Sequence, residues 1–158
     1  MTAAGLWGRV VLSSLLSFAL LFSLSPPRPA AAMGPMLAAL LGISAGTLLF
    51  AAGLRCAPHR FVSLYMQAAL LLWAANEEIL WRRVVLGELL PLGTPLALAV
   101  SSTAFALAHR SGRLFHVVTG LVFGGAYLAT GSLVACVLAH WVYNVLVGSV
   151  VEGARIPP

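Results

Sequence analysis

Residues 76–83 read Asn76-Glu77-Glu78-Ile79-Leu80-Trp81-Arg82-Arg83, two glutamates and two arginines within eight positions, flanked by leucine, alanine and valine. The whole sequence holds four acidic side chains, and two of them are adjacent here. A charged side chain at the centre of a hydrophobic span costs roughly 2.5–3.5 kcal/mol on insertion scales, so such residues usually mark function. Outward from this stretch the apolar pattern runs from 61 to about 90, where Pro91 and Gly93 stop it. Read as one helix at about 1.5 Å per residue, that segment is longer than a bilayer is thick and must tilt or project.

The composition agrees. Of 158 residues 61% are hydrophobic and 8% charged, and the mean hydropathy is +1.00. A soluble domain carries about 25% charged residues, so the expected class is an all-α, polytopic membrane helix bundle of about six transmembrane helices. We expect residues 1–158 to form a single integral-membrane domain, with N-terminal helices at about 7–54 and a catalytic core at about 61–151. The nine basic residues are all arginine, scattered between apolar runs, and the net charge of +5 is no nucleic-acid signal. Neither cysteine, Cys56 or Cys136, sits in a metal-binding spacing.

The other runs fall at 10–24, 33–54, 96–108, 114–130 and 132–151. The first is followed by Ser25-Pro26-Pro27-Arg28-Pro29 and then Ala30-Ala31-Ala32, so it reads as an uncleaved first helix, with a cleavable signal peptide as the alternative. The run at 96–108 is short for a crossing unless it starts near Thr94 and takes in His109. Gly120 and Gly124, four apart, permit close helix packing, and Gly131-Ser132 marks a tight turn. Arg9, Arg55, Arg60, Arg110, Arg113 and Arg155 fall on one side of a six-span topology and Arg28 on the other. The positive-inside rule then places both termini in the cytoplasm. The arginine- and alanine-rich composition suggests a bacterial inner membrane.

Three polar pairs share one spacing: Glu78 with Arg82, Phe105 with His109, and His140 with Asn144. Residues four apart lie on one helix face, so each pair presents two side chains to one interior point. Adjacent Glu77 and Glu78 diverge by about 100°. Arg82 is the natural partner of Glu78, which leaves Glu77 available for chemistry. Trp73 and Trp81, one turn to either side, would shield Glu77 from water, and a desolvated carboxylate is a better general base. Taken singly, each pair has a bland reading. Glu78–Arg82 could be a neutralised helix-packing pair, His109 an interface residue and Asn144 interhelical glue. Trp73, Trp81, Trp141 and Phe105 read as packing, His59 and His116 carry no specific role, and Glu88 is a solvated helix end. Convergence of two Glu, one Arg, two His and one Asn on three apolar helices favours a site.

Glu77-Glu78-x-x-x-Arg82, Phe105-x-x-x-His109 and His140-x-x-x-Asn144 together resemble the three motifs of the CAAX-protease and bacteriocin-processing family of intramembrane endopeptidases. The resemblance covers about residues 65–150. It implies hydrolysis of a peptide bond in a membrane-associated or C-terminally anchored protein substrate, within the lipid bilayer and with no nucleic-acid partner. It implies Glu77 as the base that activates water, assisted by His109, with His140 and Asn144 binding the oxyanion and with Glu78 and Arg82 orienting the site. An older family reading makes Glu77, His109 and His140 ligands of a divalent metal such as zinc. We favour the metal-free glutamic mechanism, because Asn144 is a poor zinc ligand and a good oxyanion donor. Arg83 stands where the family often has glycine. The alternatives are a non-catalytic immunity or scaffold membrane protein of the same fold, or a proton- or ion-translocating protein.

Overall fold

The computed structural model describes residues 3–53 and 61–151. The expected basic loop with Arg55, Cys56, His59 and Arg60 lies outside them, as does the tail with Glu152 and Arg155. Among the described residues there are six helices and no strand. They are α1 (Ala3–Ser23), α2 (Pro35–Gly53), α3 (Leu64–Glu78, continued by a wider π-helical segment at Ile79–Leu86), α4 (Thr94–Leu107), α5 (Arg113–Thr130) and α6 (Leu133–Val151). After the π-helical segment the chain makes one more α-turn at Gly87–Leu89 and a 3₁₀ turn at Leu90–Leu92. There Pro91 and Gly93 end the helix. Gly93 has φ 102°, a conformation open to glycine, and Pro95 sits in the first turn of α4, where no intrahelical N–H is needed.

The bundle is apolar outside, and its apolar core encloses a set of polar groups. Leu12, Leu16 and Phe22 on α1, Met36 and Leu48 on α2, and Leu114 on α5 face outward. The buried set includes Asn76, Glu78, Arg82, Ser101, Ser102, Thr119, Thr130 and His140. An exterior of this kind suits hydrocarbon, where helices satisfy their own backbone groups. By length and composition α2, α5 and α6 can each cross a membrane, and α1 and α4 contribute shorter apolar segments. The protein is an integral membrane protein.

Helix α6 lies at the centre, against α2, α3 and α5, while α4 pairs with α5 and α1 with α3. Small residues set the closest approach. Gly42 and Gly46 on α2 lie directly on the backbone of Ala135 and Ala139 on α6, and a methyl group at either glycine would collide with a carbonyl. Gly120 lies against Ser102, so the small-residue pair read from the sequence joins α5 to α4. Gly131, φ 66°, closes α5 by donating its N–H to the Tyr127 carbonyl at 2.8 Å.

Helix α1 is tied to the active stretch. The Asn76 amide donates to Ser13 Oγ and Ser14 Oγ, each at 2.9 Å, which seats α1 on the turn immediately before Glu77. The segment at 24–34 also folds back onto the bundle. Met33 donates its N–H to the Thr130 carbonyl at 2.9 Å, and Arg83 donates to the carbonyls of Pro26 and Pro27.

Candidate active site

Glu78 is the last residue of α3 before the π-helical segment, and its side chain is 0% exposed. Its Oε2 stands 3.0 Å from Nε of Arg82, and its Oε1 stands 2.8 Å from Nδ1 of His140 on α6. Arg82 Nη2 donates to the Gly120 carbonyl at 3.3 Å. Its guanidinium carbon lies 4.9 Å from the Phe105 ring centre and 5.8 Å from that of Phe123. Two aromatic faces thus help to hold a buried cation. An isolated buried charge is costly, and the pair removes most of that cost without by itself making the fold more stable. Its effect is positional, since Glu78 and Arg82 join α3, α5 and α6 at one point.

Glu77 is placed differently. Its side chain is 20% exposed. Its Oε1 accepts the Trp73 indole N–H at 2.7 Å, so Trp73 is a donor as well as a shield. Trp81 does not mirror it. Its ring lies edge-on to Phe105, with centres 6.0 Å apart, and its carbonyl accepts from Ser101. Glu77 Oε2 faces Nε2 of His140 at 3.7 Å, too far for a hydrogen bond. The two adjacent glutamates diverge, yet one imidazole has a nitrogen toward each. His140 is held flat against Phe123, with ring centres 4.7 Å apart and 19° between planes.

His109 lies just past α4, in the turn that its N–H closes onto the Ala106 carbonyl at 3.1 Å. The short run therefore ends before His109 rather than including it. Its Nδ1 is 2.8 Å from the Phe105 carbonyl. A carbonyl can only accept, so Nδ1 carries the hydrogen in this contact, and Nε2 is the ring nitrogen left uncommitted. Phe105 is the hub of this side of the site, in contact with Arg82, Trp81, His109, His116 and His140.

His116, read from the sequence as carrying no specific role, lies in the aromatic cluster beside the site. From the first turn of α5 it stacks on His109, with centres 3.9 Å apart and 26° between planes. The reason is topological. The short turn between α4 and α5 reverses the chain and lays the start of one helix beside the end of the other. Two histidines seven positions apart across a glycine-containing turn were the available signal.

Asn144 follows His140 by one turn on α6 and is half-buried. Among the described residues no hydrogen bond ties it to the glutamates. Nor does any group of three His, Cys, Asp or Glu side chains converge closely enough there to hold a metal ion. As placed, Glu77, His109 and His140 do not come together as a metal-ligand set.

A partly exposed carboxylate beside an imidazole, braced by a buried ion pair within an apolar-surfaced bundle, marks a membrane-embedded protein with an arrangement capable of acid–base chemistry. The chain belongs to the Rce1-like family, described as type II CAAX prenyl endopeptidase Rce1-like, whose model matches residues 59–146, more than half of the chain. No curated protein and no solved structure matches it. The family is one of CAAX-type intramembrane proteases, and the matched stretch contains Glu77, Glu78, Arg82, His109, His140 and Asn144. Helices α1 and α2 precede it.

Proposed function

We propose that the protein is an intramembrane endopeptidase of the glutamic type, cutting a membrane-associated or C-terminally anchored protein. The observation that carries this reading is the division of labour between adjacent glutamates. Glu78 is enclosed by Arg82 and His140, whereas Glu77 keeps an exposed edge.

Glu77 takes a proton from a water molecule as the water oxygen bonds to the carbonyl carbon of the scissile peptide. The carbonyl π pair moves onto oxygen, and the oxyanion is met by the His140 Nε2 side, when that nitrogen is protonated, and by the Asn144 amide. Donors of this kind are worth roughly 3–4 kcal/mol each. The tetrahedral intermediate then collapses, the C–N bond breaks, and the proton held by Glu77 passes to the leaving nitrogen, with His109 assisting. Glu78 and Arg82 do not touch substrate in this scheme. They fix the His140 ring. The arginine distribution supports cytoplasmic termini, and the composition a bacterial inner membrane.

Comparing membrane-protein termini in cells carrying the native chain or Glu77→Gln tests the proposal. A set of termini that appears only with the native chain supports it and identifies the substrate. Identical profiles from equally expressed proteins would remove catalysis and favour the immunity or scaffold reading.

A further inference from the structure

Away from the glutamates, a cavity of about 390 Å³ opens between the segment at 24–34, the π-helical part of α3 and the α5–α6 turn. Its lining includes the guanidinium-bearing Arg28 and Arg83, the phenol of Tyr127, and the apolar Leu21, Met33 and Leu133. Two cations in one cavity repel each other. Among the described residues, no carboxylate pairs with either of them. Arg83 has Nη1 committed to the carbonyls of Pro26 and Pro27, which orient it without neutralising it. Arg28 is exposed. Two guanidinium groups without a carboxylate partner among the described residues line one cavity, a setting that favours an anion.

We propose that this cavity binds the phosphate group of an anionic membrane lipid. Guanidinium matches phosphate oxygens in a forked geometry, and a Tyr hydroxyl adds a neutral donor. The position favours a lipid. The cavity lies beside the turn where α5 ends and α6 begins, the level at which membrane-crossing helices meet headgroups. Its apolar lining suits the glycerol end of the headgroup and the start of an acyl chain. The site does not depend on the peptidase reading.

The full-length protein in neutral detergent is titrated with phosphatidylglycerol, phosphatidylcholine or inorganic phosphate, and bound lipid is counted by native mass spectrometry. The proposal expects phosphatidylglycerol to bind more tightly than phosphatidylcholine, and each of Arg28→Gln and Arg83→Gln to weaken it about fivefold. Arg83→Gln also loses its carbonyl contacts, so the exposed Arg28→Gln decides if the other variant fails to fold. Equal binding of the two lipids, or unchanged binding in Arg28→Gln, overturns the site. Displacement of phosphatidylglycerol by inorganic phosphate at equal concentration overturns the lipid and leaves a soluble phosphate as occupant.

Discussion

His140 Nδ1 lies 2.8 Å from Glu78 Oε1, which commits one face of the imidazole to a carboxylate that Arg82 already neutralises. The other nitrogen is thereby aimed at Glu77. Two neighbouring glutamates of the same chemistry thus sit in different surroundings, one enclosed, the other open on one edge.

Glu77→Gln should abolish most turnover, by about 10²–10⁴-fold, the range of a lost general base. Because Glu77 is partly exposed, stability should change little, within about 0.5 kcal/mol. Cleavage of an identified substrate together with thermal unfolding in the same detergent measures both. Retained turnover would remove Glu77 as the base.

Arg82→Met should be among the most destabilising changes. It leaves the Glu78 carboxylate buried beside only an imidazole, and breaking such a pair costs about 3–5 kcal/mol. Adding Glu78→Gln to Arg82→Met should restore part of that loss, since the uncompensated charge is gone. A double-mutant cycle in mixed micelles shows the coupling, and strictly additive losses would deny it.

Trp73→Phe removes the one indole that donates to Glu77 while keeping an aromatic ring. Hydrogen bonds to charged groups are worth about 1.5–3 kcal/mol when buried. Here, with Glu77 partly open to solvent, a fall in kcat of about tenfold is expected. Trp81→Phe, whose ring packs on Phe105 instead, should lower kcat less. Steady-state kinetics on the two variants compares them.

His116→Phe preserves a flat ring against His109 and should keep turnover within about threefold, whereas His116→Ala should lower it about tenfold by releasing the stacked ring. Loss of activity in both variants alike would instead assign His116 a proton-carrying role.

A chelator should leave the purified protease as active as before, because among the described residues no three His, Cys, Asp or Glu side chains converge as a ligand set. Activity lost on chelation and regained with zinc would return the metal-ligand reading of Glu77, His109 and His140.

The sequence by itself determined the helical membrane class. Long apolar runs broken by Pro and Gly leave few alternatives in a solvent that offers no hydrogen bonds to the backbone. It also singled out the polar residues, because charges in so apolar a chain stand out. The limits of α3 and α5 and the Gly131 turn could likewise be read from local chemistry, since caps and glycine conformations act over a few positions. Only the tertiary structure decided which polar atoms meet. That His140 lies between the two glutamates depends on α6 reaching α3, while Gly42 and Gly46 set how closely α2 lies on α6. The His109–His116 stack and the Arg28–Arg83 cavity likewise arise from how separate segments meet. Side-chain spacing along one helix specifies a face; it does not specify the neighbour that face will meet, because that is set by close packing among all six helices at once.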